Sequence, residues 1–286
     1  MNQTAKLREL LSRPGMLVAP GCYDGMSARL VERAGYELAY MTGFGSAASV
    51  LGMPDTGLIS FAEMATHARN LARVLSIPLI ADADTGYGNA VNVYHTVRAY
   101  AQAGVAGIQL EDQVAPKKCG HTKGKAVIPL AEMVGKIRAA ADARAEGDIV
   151  LVTRTDARAV NGFDDALERC HAFAEAGADV VFFEAPETVE EMRTVAESIK
   201  APTLINIVHD GKTPCLPAAE LEQMGFKLAI YPSMLFRISM LAMQEELARF
   251  KGNPTYEPGD TRMGFEEIKD IVGFNWYYGM DEKYRG

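Results

Sequence analysis

Short apolar segments recur along the chain, and each is followed by a longer segment whose apolar residues recur at helical spacing. The apolar segments are residues 16–19, 38–42, 78–81, 107–110, 149–153, 179–183, 203–205 and 228–231. Most of them are apolar without interruption, which is typical of parallel strands that are buried on both faces. The pattern therefore predicts eight buried strands.

The segments between the apolar runs have the spacing of amphipathic helices. The predicted helices are residues 25–34, 61–75, 90–103, 130–145, 163–176, 188–199 and 218–224, and residues 1–15 form a further one before the first strand. Eight strands that alternate with helices predict an α/β protein with a closed (β/α)8 barrel of the TIM type. The length of 286 residues suits this fold, which typically takes about 250 residues.

Apolar residues continue beyond the eighth strand. A helix rich in Met, Leu and Phe is predicted in residues 234–250, a link rich in Gly and Pro follows in 251–259, and a further helical segment covers 265–285. We predict a catalytic barrel domain over residues 1–250 and a C-terminal helical extension of the same domain over 251–286. Because the apolar helical segment beyond this link has no place in a minimal barrel, it either caps the barrel floor or packs against another subunit, and its apolar character favours association.

Composition narrows the class of protein. The net charge is -8, and no basic stripe with interleaved aromatic residues is present, which excludes a nucleic-acid partner. No apolar run approaches the roughly 20 residues of a membrane span, and the N-terminus lacks the apolar run of a signal peptide. The four cysteines are far apart and form no CxxC pair, which favours a reducing, cytoplasmic location over a disulfide framework or structural zinc.

Polar side chains follow almost every predicted strand, where the active site of a TIM barrel lies. In chain order they are Thr42, Gly43 and Phe44, then Asp82 and Asp84, Glu111, Arg154, Glu184, Asn206 and, one turn after the eighth strand, Arg237. A barrel with a purely structural role does not need this set. The sequence therefore predicts an active site at the C-terminal ends of the strands.

The residue types indicate the chemistry of that site. Asp82, Asp84 and Glu111 are hard oxygen ligands that suit Mg²⁺, with Mn²⁺ as a substitute, although the two aspartates can also simply cap a turn. Arg154 can grip a substrate carboxylate in a bidentate fashion or pair with Glu184. Two further polar residues each allow two interpretations. Asn206 binds substrate or satisfies backbone groups, and Asp55 gates the site or belongs to an ordinary turn.

A lysine-rich segment follows the fourth strand and surrounds one thiol with cations. It contains Lys117, Lys118, Cys119, Gly120, His121, Lys123, Gly124 and Lys125. Local positive charge in an acidic protein predicts an anion site with a thiol that favours the thiolate, and the glycines allow the segment to act as a lid. The alternative is a solvated loop with an incidental cysteine and an exposed histidine.

Several ordered motifs give the chain a resemblance to a known family. They are Gly21-Cys22-Tyr23-Asp24, Gly52-Met53-Pro54-Asp55, the run from Ala81 to Gly88, Glu111-Asp112-Gln113, Lys117-Lys118-Cys119-Gly120-His121, Arg154-Thr155-Asp156-Ala157 and Gly211-Lys212-Thr213-Pro214. Over nearly its whole length the chain resembles the isocitrate lyase / phosphoenolpyruvate mutase superfamily. The resemblance implies a magnesium-dependent barrel. It also implies a homotetramer of dimers that swap their last barrel helix.

The resemblance also implies roles for individual residues. Asp82 and Asp84 would surround the metal with Glu111 nearby, and Cys119 would be the general acid. Lys117, His121 and Glu111 complete the predicted catalytic set. The predicted substrate-binding set is Thr42, Gly43, Phe44, Asp55, Gly120, Arg154, Glu184, Asn206 and Arg237.

The implied reaction is cleavage of a carbon–carbon bond in a small anionic 2-hydroxy dicarboxylate of the alkylmalate type, such as 2,3-dimethylmalate. The products would be pyruvate or another 2-oxo acid and a monocarboxylate. Three alternatives within the superfamily are a 2-methylisocitrate lyase, an oxaloacetate hydrolase and a phosphonate mutase of the carboxyphosphonoenolpyruvate type. In the first of these, Arg262 would bind the third carboxylate of the substrate. Two alternatives from other classes are a hydrolase with Cys119 as nucleophile and a non-catalytic binding barrel.

Overall fold

The computed structural model describes residues 2–120, 122, 124–144, 148–256 and 262–285. The strands are β1 Leu17–Cys22, β2 Ala39–Met41, β3 Leu79–Asp82, β4 Gly107–Glu111, β5 Val150–Thr155, β6 Val180–Phe183, β7 Thr203–Asn206 and β8 Leu228–Tyr231. The helices are α1 Gln3–Ser12, α2 Gly25–Arg33, α3 Gly43–Leu51, α4 Phe61–Val74, α5 Ala90–Gln102, α6 Leu130–Arg144, α7 Phe163–Ala176, α8 Val189–Ser198, α9 Ala218–Met224, α10 Met234–Gly252, α11 Phe265–Val272 and α12 Phe274–Tyr284.

The eight strands form a closed barrel in which each strand runs parallel to the next. The barrel closes where β1 pairs with β8, with Leu17 opposite Leu228 and Pro20 opposite Tyr231. Each predicted strand overlaps an observed one, so the predicted TIM barrel is confirmed. The continuous apolar runs correspond to strands that are buried along almost their whole length.

The N-terminal end of the barrel is covered by α1. Leu7 and Leu10 of this helix belong to the same buried cluster as Leu38, Val150 and Leu228 near the starts of their strands. Asn2 caps the helix by accepting a hydrogen bond from the Thr4 N–H. Because α1 fills this end, the C-terminal ends of the strands are the open mouth of the barrel.

Two helical features differ from the predicted elements. The sequence pattern predicts no helix directly after β2, but the segment there forms α3, which Thr42 caps and which ends at Gly52 with φ +64°. The C-terminal helical segment is two helices, because Gly273 takes φ +84° between α11 and α12. In both cases glycine supplies a left-handed residue at the end of a helix.

The chain falls into two compact units, Met1–Phe236 and Arg237–Gly286, and α10 crosses the boundary. The second unit has its own polar contacts: Arg262 pairs with Glu246 and lies over the ring of Tyr256 at 4.8 Å. No helix within the described ranges is long and apolar enough to cross a membrane.

Candidate active site

Three buried acids meet at the ends of two adjacent strands. Asp82 is the last residue of β3, Glu111 is the last residue of β4, and Asp84 lies between β3 and α5. Asp82 Oδ1 accepts a hydrogen bond from the Asp84 N–H at 2.9 Å. This carboxylate therefore also caps the turn, which is the role predicted as the alternative to metal binding. Asp84 has φ +50°, a left-handed conformation that costs a non-glycine residue energy.

Lys117 places its ammonium among these acids. Its Nζ lies 2.5 Å from Asp55 Oδ1 and 2.8 Å from Asp84 Oδ1, and all three side chains are buried. Burial lowers the pKa of Lys117, but the carboxylates of Asp84, Asp82, Glu111 and Asp55 outweigh burial and hold the pKa well above its ordinary value. Lys117 is therefore a fixed positive charge that joins the loop after β4 to the barrel.

Burial dominates the pKa values of the acids themselves. It raises the pKa of Asp84 to about 6, in spite of Lys117, and raises the pKa of Asp82 in the same direction. The pKa of Glu111 is raised well above its ordinary value, again by burial first, in spite of Arg154. Buried carboxylates with raised pKa values favour the binding of an additional cation, because a cation offsets both their desolvation and their mutual repulsion.

Arg154 stands between the acids of neighbouring strands. Its guanidinium hydrogen-bonds the Asp156 carboxylate through Nε and Nη2 at 2.9 Å each, and lies 3.5 Å from Glu111 and 3.7 Å from Glu184. Asn206 donates to Glu184 Oε2 at 3.2 Å. Arg154 thus pairs with Glu184, which is the role predicted as the alternative to binding a substrate carboxylate. It lies at the C-terminal end of β5, where the barrel is open.

The Cys119–Gly120 segment lies directly over this group. A Cβ atom at Gly120 would stand 2.3 Å from Arg154 Nη2 and 2.5 Å from Glu184 Oε1, so a larger residue would require one of these side chains to move. Cys119, the residue before Gly120, is half-buried. Gln113 holds the segment by donating to the Lys118 carbonyl at 2.8 Å and accepting from the Lys118 N–H at 2.9 Å.

The N-terminus of α3 forms another part of the site. Thr42 Oγ1 accepts from the Gly45 N–H at 3.4 Å, and a Cβ atom at Gly43 would stand 2.4 Å from Asp82 Oδ2. The first N–H groups of a helix have no intrahelical partner and carry the positive end of the helix dipole, which favours an anion. Phe44 packs edge-to-face against Phe236 at 5.3 Å.

Two predicted site residues are not brought into this group by the structure. His121 lies outside the described residues. Arg237 is the first residue of the second unit, which is described separately. The roles predicted for both stay predictions.

Other residues of the site were not singled out from the sequence. Tyr40 on β2 donates to Gln109 Oε1 on β4, and Gln109 Nε2 donates to Asp82 Oδ1 at 3.2 Å. The available signal was a polar Gln109 within an otherwise apolar strand, since a buried amide needs hydrogen-bond partners. Lys125 and Asp156 form a second buried contact between polar side chains.

The donor set fits a magnesium ion. Among the described residues, no three His, Cys, Asp or Glu side chains are grouped so that they enclose a metal by themselves. Magnesium does not require such a cage, because it keeps several waters and binds through one or two carboxylates together with substrate oxygens. Glu111 Oε1 is buried without a hydrogen-bond partner, and Asp82 and Asp84 supply further hard oxygens beside it.

The chain is similar to proteins of known activity. A family model described as phosphoenolpyruvate phosphomutase matches residues 7–251. The 2,3-dimethylmalate lyase of Eubacterium barkeri is 47% identical over 285 residues, which is 99% of each chain. The 2-methylisocitrate lyase of Aeropyrum pernix is 44% identical, over 96% of this chain and 89% of the relative.

Solved structures have the same fold over the whole chain. A crystal structure of 2,3-dimethylmalate lyase has a TM-score of 0.95 and 37% identity, covering 100% of this chain and 96% of that one. Oxaloacetate acetylhydrolase with 3,3-difluorooxalacetate has a TM-score of 0.95 and 34% identity, covering 100% and 98%. Phosphonopyruvate hydrolase with oxalate and Mg²⁺ has a TM-score of 0.90 and 30% identity, covering 100% of both chains.

Proposed function

Because this chain belongs to the isocitrate lyase / phosphoenolpyruvate mutase superfamily, we propose that it is a magnesium-dependent carbon–carbon lyase acting on a small 2-hydroxy dicarboxylate of the alkylmalate type. For 2,3-dimethylmalate the products are pyruvate and propionate. The observation that carries the proposal is the buried group of Asp82, Asp84, Glu111 and Arg154, which the Cys119–Gly120 segment covers.

The charge balance of the site supports a cation that accompanies the substrate. In this group six carboxylates face three cationic side chains: Asp55, Asp82, Asp84, Glu111, Asp156 and Glu184 against Lys117, Lys125 and Arg154. A dianionic substrate alone would add to this excess of negative charge. Magnesium on Asp82, Asp84 and Glu111 would cancel two of the three excess negative charges and so make dicarboxylate binding more favourable.

Each residue then has a role in the cleavage. Bound magnesium would polarise the C2 oxygen and make its hydroxyl group more acidic, and the Glu111 carboxylate, a member of the predicted catalytic set, accepts the hydroxyl proton. Arg154 attracts a substrate carboxylate, and the N-terminus of α3 donates hydrogen bonds to it. As the C2–C3 bond breaks, C2 becomes the carbonyl carbon of pyruvate and the electron pair passes to C3. The Cys119 thiol gives its proton to C3, and Lys117 stabilises the negative charge that develops.

The size of the substrate distinguishes the alternatives. The cleavage of 2-methylisocitrate requires a cation for a third carboxylate, and Arg262 was the sequence candidate. Its guanidinium already has Glu246 and the Tyr256 ring as partners within the second unit, which favours the smaller substrate. Oxaloacetate hydrolysis would use the same group of residues and is separated from alkylmalate cleavage only by assay.

A pyruvate-release assay tests the proposal. Purified protein is incubated with racemic 2,3-dimethylmalate, 2-methylisocitrate or oxaloacetate, with Mg²⁺ or with EDTA, and Cys119→Ser is the matched variant. We expect Mg²⁺-dependent pyruvate from dimethylmalate, and a loss of at least about 100-fold in kcat for Cys119→Ser, the size typical of a removed general acid. Oxalate and acetate formed from oxaloacetate, without pyruvate from dimethylmalate, would identify the hydrolase instead. Turnover in EDTA would contradict magnesium dependence.

A further inference from the structure

Lys125 makes a buried contact that the proposed chemistry does not use. It lies five residues after Gly120, and its side chain is 2% exposed. Its Nζ donates to the Gly120 carbonyl at 2.5 Å and to Asp156 Oδ1 at 2.6 Å. A lysine with a buried ammonium is costly unless it is paired, so these two contacts define where the side chain must lie.

Asp156 joins Lys125 to the barrel. Its carboxylate is fully buried and accepts from both Lys125 and Arg154. Its backbone N–H donates to Asp112 Oδ1 at 2.9 Å, and Asp112 is held in turn by Thr155 and by Arg169 of α7. The anchor of Lys125 is therefore rigid, because it is part of a buried network that reaches the outer helices.

The contact of Lys125 fixes a peptide group rather than a side chain. The Gly120 carbonyl belongs to the segment that carries Cys119, and Gly120 itself lies against Arg154 and Glu184 with no space for a methyl group. The same Asp156 carboxylate thus orients Arg154 on one side and, through Lys125, the Gly120 peptide on the other.

We propose that Lys125, anchored by Asp156, is a positioning residue that sets the distance between the Cys119–Gly120 segment and Arg154. The inference rests on the proposed function, in which Cys119 gives a proton to a substrate held by Arg154. Lys118 offers a comparison within the same loop, because its Nζ donates to the Gly124 carbonyl at 2.7 Å and its side chain is exposed.

The test compares Lys125→Met with Lys118→Met. Each substitution removes one ammonium from the same loop at nearly constant volume, but only Lys125→Met removes the link to Asp156. The first readout is the rate at which iodoacetamide alkylates Cys119, followed by peptide mass spectrometry, with the exposed Cys215 as the internal reference. The second is kcat and KM for the substrate that the wild type cleaves.

We expect Lys125→Met to raise the alkylation rate of Cys119 by about tenfold and to lower kcat by about tenfold or more, because a hydrogen-bonded charge pair of this kind holds the segment in place. Lys118→Met should leave the alkylation rate within about twofold of wild type, since exposed contacts contribute little. If Lys125→Met does not fold, Lys125→Gln, which keeps an N–H donor, should change both readouts in the same direction by a smaller factor.

Two results would overturn the inference. An unchanged alkylation rate with a reduced kcat would mean that Lys125 acts on the substrate directly. Equal effects of Lys125→Met and Lys118→Met would mean that only the total charge of the loop matters. If the wild type cleaves no dicarboxylate, the proposed function fails, but the alkylation comparison still tests the positioning of the segment.

Discussion

At the scale of single residues, Gly120 is the position at which the site has least space. We expect Gly120→Ala to fold normally and to lose at least about 100-fold in kcat. Its Cβ would require Arg154 or Glu184 to move, and a misplacement of about 1 Å at a reacting centre costs that much. Steady-state kinetics and thermal unfolding of the purified variant check the prediction.

Gly135→Ala is the matched control, because a Cβ at this position in α6 meets no atom within 4 Å. Alanine in a helix interior should leave kcat unchanged and stabilise the protein slightly. If Gly120→Ala kept full activity, the close contact of Gly120 with Arg154 and Glu184 would not belong to the active conformation.

Asp156 gives the site a pH-dependent contribution to stability. Burial raises the pKa of its carboxyl, but Arg154 and Lys125 outweigh burial and lower it to about 2. Burial raises the pKa of the nearby Asp112 to about 6 and that of Glu111 well above its ordinary value, so both are largely protonated below about pH 5. Since the folded-state pKa lies below the unfolded value of about 3.9, the ionised carboxylate stabilises the fold above about pH 4. That contribution is lost as the pH falls towards 2.

Urea unfolding of wild type and Asp156→Asn at about pH 5 and about pH 3 measures this contribution. We expect wild type to be more stable than Asp156→Asn at the higher pH. The difference in the free energy of unfolding should shrink by about 1 kcal/mol at the lower pH, since one pKa unit corresponds to about 1.4 kcal/mol. A difference that does not change with pH would show that Asp156 is not the titrating group.

The sequence was sufficient to predict those site residues that are identified by their side-chain type and by their position at the end of a strand. Asp82, Glu111, Arg154 and Glu184 follow apolar runs, and the closed barrel brings strand ends together whatever the intervening helices are. Lys125 and Gln109 were not predicted as site residues. Their positions depend on the path of a loop and on which way a strand residue faces, and neither is visible in the order of the residues.

At the scale of elements, α3 was the main structural feature that the sequence pattern did not predict. Its first turn contains Gly43 and Gly45, which disfavour a helix by their intrinsic propensity. The cap formed by Thr42 and the burial of Gly43, Ser46 and Ala47 against the barrel outweigh that propensity. Tertiary packing of this kind is not encoded in a local window of sequence.

The N-terminus of α3 supplies a prediction about metal binding. In Gly43→Ala the new Cβ would meet Asp82 Oδ2, so the carboxylate must turn away from its present position. We expect the concentration of Mg²⁺ required for half-maximal activity to rise by about tenfold, and the increase in melting temperature on adding Mg²⁺ to shrink, because the stabilisation that a ligand gives the folded state grows with the logarithm of its affinity.

Gly25→Ala is the control for this variant. Gly25 is also the first residue of a capped helix, α2, and a Cβ there meets no atom within 4 Å. It should respond to Mg²⁺ as wild type does. A normal magnesium response in Gly43→Ala would separate Asp82 from the metal and leave it as a cap of the turn at Asp84.

At the scale of the whole molecule, α10 is the element that a lone barrel does not explain. Phe236 is its one buried residue among those described, whereas Ile238, Leu241, Met243 and Leu247 are exposed. Apolar side chains on successive turns of one helix form the kind of surface that buries against another subunit, at roughly 25 cal/mol for each Å² removed from water. We expect the predicted homotetramer of helix-swapped dimers to bury this surface.

Light scattering coupled to size-exclusion chromatography tests the assembly. We expect the wild type to have about four times the chain mass of 31.0 kDa. Ile238→Glu combined with Leu241→Glu should reduce that mass, because two carboxylates on adjacent turns cannot be buried without partners. Gln244→Glu adds charge to the same exposed helix and should leave the mass unchanged. A wild type with the mass of a single chain would contradict the assembly and would leave the apolar residues of α10 to another partner. A wild type with the mass of two chains would be consistent with the helix-swapped dimer and would contradict only the tetramer.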